Sequence, residues 1–210
     1  PVVVSQYQSE SGPVFSRQAR EKRSAVLFGD KVFKLISCKR ESQSLTIKYN
    51  DKRDNSEKEY RLDLQGTYQA RNLAGVLLVI EELVSQGFII EAEHVSKGLS
   101  SVMKTTGLMG RWQVMGEKPL IVADTGHNED GIRQVLENIS KEKYNKLHMV
   151  FGVVNDKDVT KILQQLPKEA EYYFVKANIP RALDAEELKS LASDAKLKGM
   201  AFGNVEQGLQ

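Results

Sequence analysis

The sequence predicts an α/β protein in which a β-rich segment and two helices precede a parallel-rich sheet with helices on both faces. Three observations lead there. Strand-like runs at about 112–116, 119–124, 146–152 and 171–176 alternate with helical patterns at about 128–140, 158–166 and 184–195, which argues for a parallel sheet. The connections between them are short, as such folds require. Residues 25–49, by contrast, hold several strand-like runs and residues 67–101 a helical period.

Val2-Val3-Val4 reads as a strand and not as the core of a signal peptide, because no basic region precedes a longer apolar run. Pro13 to Arg23 fits a short helix, and Ala25–Phe28, Lys31–Ser37 and Leu45–Tyr49 have strand composition. Gly29-Asp30 and Asn50-Asp51 are turn signals, and Lys52 to Lys58 is expected to be a charged loop leading to Tyr60-Arg61-Leu62. From Thr67 to Gln86, Leu73, Val76, Leu77, Ile80 and Leu83 recur at the spacing of one helical face, predicting a core helix that ends at Gly87. A second helix fits Glu91 to Ser101. Lys104 to Gly110 has no period and two glycines, so a domain boundary is expected there, dividing 1–108 from 109–210.

Leu120-Ile121-Val122-Ala123 is too short for a helix and is read as a buried strand. After it, Asn128 is a plausible N-cap, Glu129 and Asp130 fill a first helical turn, and Ile132, Val135, Leu136 and Ile139 mark one helical face. Met200 to Gln210 holds a short apolar element and the start of a polar one; both ends of the chain are expected to be cuts in a longer protein.

Of the 210 residues, 40% are apolar and 28% charged, the balance of an ordinary soluble protein. A net charge of +2, from 30 basic and 28 acidic residues, gives no field that would draw nucleic acid. No run approaches the roughly 18 to 20 apolar residues that span a bilayer, so no membrane partner is expected. One cysteine, Cys38, excludes an internal disulfide framework and any site made of several cysteines; it reads as an apolar strand residue and is compatible with a reducing compartment. A cytoplasmic location is expected. His94 falls in a charged helix and His148 just before an apolar strand, so both read as ordinary structural residues.

Chemistry concentrates between Gly110 and Asn128. Arg111 supplies a permanent cation, Asp124 a carboxylate and His127 an imidazole, the last two at the carboxyl end of a strand and the start of a helix. Ligands bind at that edge in open α/β sheets, and unpaired amides at a helix start attract phosphate. An equally simple reading stays open: Asp124 and Asn128 turn and cap the chain while Arg111 makes a surface ion pair.

Four blocks in order carry a resemblance: Leu64-Gln-Gly-Thr-Tyr-Gln-Ala-Arg-Asn72, Gly110-Arg111-Trp112-Gln113, Asp124-Thr-Gly-His127-Asn128, and Gly152-Val-Val-Asn-Asp156-Lys157-Asp158 with Pro180-Arg181-Ala182. Together they resemble the C-terminal portion of folylpolyglutamate synthase/dihydrofolate synthase, in the Mur ligase superfamily. The resemblance implies the end of a Mur-type ATPase domain followed by a Rossmann-like glutamate ligase domain. It implies an ATP-dependent enzyme, with Mg2+, that joins glutamate to dihydropteroate or a folate through an acyl phosphate. It also implies small-molecule partners and a monomer.

By the same resemblance Asn72 contacts the nucleotide, Arg111 reaches the ATP phosphates, Asp124 accepts hydrogen bonds from ribose hydroxyls, and His127 faces the acyl phosphate and incoming glutamate. No metal ligand is assigned to this chain. Asp156-Lys157-Asp158 reads as a loop and helix start. Tyr68 stands where the family often has histidine, and Gly126 where it has alanine. No Gly-rich sequence followed by Gly-Lys-Ser or Gly-Lys-Thr occurs, so the phosphate loop and the magnesium ligands are expected upstream and these residues alone are expected to be inactive. A Mur-type ligase for another carboxylate and a non-catalytic nucleotide-binding module are the alternatives.

Overall fold

Strand β1 (Val2–Val4) pairs in parallel with β2 (Val26–Phe28), Val3 opposite Leu27, and helix α1 (Gly12–Glu21) joins them. Pro13 suits the first turn of α1, where its missing N–H costs no helical bond. The computed structural model describes residues 1–155 and 159–210, so the expectation for Asp156-Lys157-Asp158 lies outside the described residues. Gly29-Asp30, expected as a turn, opens a single helical turn, α2 (Gly29–Val32).

Three antiparallel strands follow, β3 (Phe33–Arg40), β4 (Leu45–Asp51) and β5 (Ser56–Leu62), with β4 central. Here the expected charged loop at 52–58 is corrected: Ser56, Glu57 and Lys58 already belong to β5, paired with Asp51, Asn50 and Tyr49. Charged side chains on the solvent side of a strand do not oppose pairing, and Lys48 bridges Glu57 across it at 2.6 Å.

Helix α3 (Gln69–Ser85) lies on this sheet, burying Leu73, Ala74, Leu77 and Leu78 against Phe33, Leu45, Ile47 and Tyr49. The Tyr49 hydroxyl donates to the Ala70 carbonyl. Val76, expected in the core, is 42% exposed, because the apolar stripe is wider than the face that meets the sheet. Helix α4 (Ala92–Ser100) is followed by α5 (Val102–Thr106), where no element was expected. A remote carboxylate starts α5: Asp63 Oδ2 accepts from Met103 N at 2.8 Å.

Strands β6 (Gln113–Glu117) and β7 (Leu120–Ala123) form an antiparallel hairpin, joined neither to each other in parallel nor to a larger sheet among the described residues. The expectation of a buried strand at 120–123 is therefore corrected: Leu120 is 48% and Ile121 44% exposed. Apolar composition alone does not distinguish a core strand from one face of a two-stranded ribbon.

Contacts divide the chain into two units, Pro1–Asp124 and Thr125–Gln210, so the hairpin belongs with the first. In the second, β8 (His148–Phe151), β9 (Glu171–Val175) and β10 (Lys198–Phe202) form a parallel sheet with β9 central. Helices α6 (Glu129–Ile139), α7 (Val159–Gln165) and α8 (Ala185–Asp194) alternate with these strands as expected, and α9 (Val205–Leu209) follows them. Tyr172, Phe174, Ile162 and Leu188 form the centre of that unit's core. The whole is mixed α/β, with parallel and antiparallel sheets.

Candidate functional site

Within the first unit, three of the blocks singled out from the sequence meet at one carboxylate oxygen. Asp124 follows the last residue of β7, and its Oδ2 accepts the Tyr68 hydroxyl and the Trp112 backbone N–H, each at 2.8 Å. Tyr68 is the N-cap residue of α3, so one oxygen ties a helix start, the turn before β6 and the end of β7. Burial, and then the bond to Asp124, push the Tyr68 hydroxyl well above the usual phenol range, so it remains a donor throughout ordinary pH.

Arg111 lies in a turn with unusual backbone. Gly110 has φ +69° and Trp112 φ +52°, so left-handed residues flank the arginine on both sides. Glycine adopts this conformation without steric cost, whereas an L side chain such as Trp112 costs about 1–2 kcal/mol. A hydrogen bond to a charged group contributes about 1.5–3 kcal/mol, so the Asp124 contact suffices to hold Trp112 there.

The Trp112 ring is buried, 2% exposed, and the Arg40 guanidinium sits 4.8 Å from its centroid. Arg40, the last residue of β3, is itself held by its Nε donating to the Gln65 carbonyl at 3.0 Å. The turn closes further through Gly110 N, which donates to Gln113 Oε1 at 3.0 Å. Arg111 is exposed, and its charge opposes the upward shift of the Tyr68 hydroxyl.

Asn72 is exposed one turn into α3, where its Nδ2 donates to Gln69 Oε1 at 2.9 Å. Tyr68, Asp124, Trp112 and Arg111 are thus brought together, with Asn72 on the helix that Tyr68 begins. Arg40 was not singled out from sequence, and no local signal marks it: its partners Gln65 and Trp112 are distant in the chain and meet it only through the sheet.

His127 belongs to the second unit. It is exposed just before the N-cap of α6, and Asn128 caps that helix by accepting from Gly131 N at 2.7 Å. Its Nδ1 lies 3.0 Å from the Thr125 carbonyl. A carbonyl only accepts, so the proton rests on Nδ1 and Nε2 is the basic nitrogen of the neutral ring. Glu129 and Asp130 occupy the first turn of α6. His94 completes a capping box with Glu91, and His148 opens β8, both structural as read from sequence.

Among the described residues no group of three or more His, Cys, Asp or Glu side chains could hold a metal ion, and no helix is long and apolar enough to cross a membrane.

Residues 110–210 match the family described as Mur ligase, glutamate ligase domain. A "Probable bifunctional folylpolyglutamate synthase/dihydropteroate synthase" of Haloferax volcanii is 37% identical over 131 residues, 62% of this chain and 15% of that protein. A UDP-N-acetylmuramoyl-L-alanyl-D-glutamate–2,6-diaminopimelate ligase of Helicobacter pylori is 36% identical over 116 residues, 53% of this chain and 24% of that protein. In fold, the chain resembles Mycobacterium tuberculosis folylpolyglutamate synthase complexed with ADP and AMPPCP, with a TM-score of 0.83, 21% identity, and 99% of this chain and 46% of that one covered. The chain therefore spans less than half the length of each of these proteins.

Proposed function

We propose that the chain is part of an ATP-dependent ligase that adds glutamate to dihydropteroate or a folate, a reading supported by the match of residues 110–210 to the Mur ligase, glutamate ligase domain family. The observation that carries this is the Gly110-Arg111-Trp112 turn, which Asp124 ties to Tyr68 at the start of α3, the helix that bears Asn72. A guanidinium held on a rigid turn is suited to phosphate oxygens, because its planar fork donates two parallel hydrogen bonds.

In this reading ATP phosphorylates the folate carboxylate, and the glutamate amine attacks the acyl phosphate, releasing phosphate. Arg111 stabilises the charge that develops on the transferred phosphoryl group. Asn72 contacts the nucleotide and Asp124 its ribose. His127 serves the acyl phosphate and glutamate, with Nε2 as its basic nitrogen. The phosphate loop is not among these residues, so they furnish only part of the site and are inactive by themselves. No role in holding magnesium is proposed for these residues. The enzyme is proposed to act as a cytoplasmic monomer.

The test is ADP release by the natural protein that carries this chain, assayed with ATP, glutamate and either dihydropteroate or a tetrahydrofolate. Glutamate-dependent release is expected; its absence with both pterins overturns the proposal. The Helicobacter pylori likeness supports a second reading, a ligase for a peptidoglycan precursor. Release of ADP only with a UDP-muramoyl peptide and diaminopimelate would establish that one. Nucleotide binding without turnover on any of these substrates would leave a binding module.

A further inference from the structure

Tyr68 enters none of the roles above, yet it shares an acceptor with the turn that presents Arg111. We propose that Tyr68 is a positioning residue: its hydroxyl fixes the Asp124 oxygen that holds Trp112 N–H, and so sets the direction of Arg111. The proposal rests on the reading of Arg111 as the phosphate-contacting residue.

Two bonds of 2.8 Å converge on Asp124 Oδ2, one from α3 and one from the turn, so the carboxylate cannot rotate away from Trp112 without releasing Tyr68. The tyrosine is itself immobilised. Its carbonyl accepts from Arg71 N at 3.0 Å, and its ring occupies space that a side chain at Gly66 would take, since a Cβ there would lie 2.6 Å from the Tyr68 Cζ. From the other side, Arg40 covers the Trp112 ring. Arg111 is therefore carried between two left-handed residues, one of which keeps its conformation through Asp124. Removing the Tyr68 hydroxyl takes away one of the two bonds that converge on the oxygen holding Trp112 N–H.

Trp112 is the only tryptophan of the chain, so its fluorescence reports this turn directly. In the 210-residue chain, Tyr68→Phe is expected to red-shift Trp112 emission and to speed its quenching by acrylamide, with far-UV circular dichroism unchanged. In the natural protein the same substitution is expected to lower kcat about tenfold, the scale of one hydrogen bond's contribution, while KM for ATP hardly moves. Tyr60→Phe, which removes a half-buried hydroxyl from β5, should change neither reading.

Unchanged Trp112 fluorescence in Tyr68→Phe overturns the proposal, as does a raised KM for ATP with kcat intact, which would assign the tyrosine to nucleotide binding. If Tyr68→Phe fails to fold, Asp124→Asn tests the same clasp through Trp112, and an unaltered spectrum overturns it equally. Arg111→Ala separates the two readings. Impaired turnover in Arg111→Ala with a silent Tyr68→Phe leaves the phosphate reading standing and overturns the clasp alone. Normal turnover in Arg111→Ala overturns the phosphate reading, and the positioning role with it.

Discussion

At the scale of single residues, the arginine in the turn makes the sharpest demand. Arg111→Ala in the natural protein is expected to lower turnover by about 10² or more, the cost of removing one transition-state donor. Arg111→Lys should recover only part of this, because an ammonium keeps the charge and loses the fork. A variant that loses thermal stability and keeps its turnover would return Arg111 to the surface ion-pair reading. Asn128 makes a different demand, since its side chain satisfies Gly131 N at the start of α6. Asn128→Ala should cost about 1 kcal/mol, read from the urea midpoint, whether or not the neighbouring histidine is catalytic.

At the scale of elements, the β4–β5 hairpin is joined to α3 by charge. Asp51, 1% exposed in its side chain, accepts from Arg53 at 2.6 Å and from Lys58 at 2.9 Å, and Arg53 reaches Glu81 on α3 at 2.8 Å. The Arg53 hydrogen bond, opposed in part by burial and assisted by Lys58, holds the Asp51 carboxyl well below the usual carboxylate range. A depressed folded pKa stabilises the fold at every pH above the unfolded value, about 4, and that contribution is lost as pH falls below it toward the folded value. Asp51→Asn should therefore lower stability at pH 7 by about 1–3 kcal/mol, at the smaller end because Arg53 and Lys58 are partly in solvent. It should also flatten the acid limb of stability against pH. An unchanged acid limb in urea titrations at pH 7 and pH 3 would contradict this. The same hairpin shows why a charged run misleads: Ser56 to Lys58 have poor strand propensity, yet backbone pairing with Tyr49 to Asp51 and cross-strand ion pairs outweigh it.

At the scale of the whole molecule, each unit has its own core, and Trp112 reports only the first. Leu188 is 0% exposed in the second, so Leu188→Ala should cost that unit about 2–5 kcal/mol. Hydrogen exchange should then quicken in β9. Protection lost equally in β4 would show that the two cores are not separate units of stability.

The sequence by itself determined the elements whose period is local: α3 from its apolar stripe, α6 from its cap and acidic first turn, and the alternation that gives the parallel sheet β8–β9–β10. It also carried the ordered blocks on which the resemblance to the Mur ligase superfamily rests, because these are properties of neighbouring residues. The tertiary structure alone decided that β6 and β7 form an exposed antiparallel ribbon, and that α5 starts from Asp63, 40 residues before Met103. It alone decided that Asp124 meets Tyr68 across 56 residues of chain and that Arg40 covers Trp112. Propensity and capping act within a few residues. The partner of a carboxylate, or the exposure of an apolar strand, is set only when distant segments close on one another.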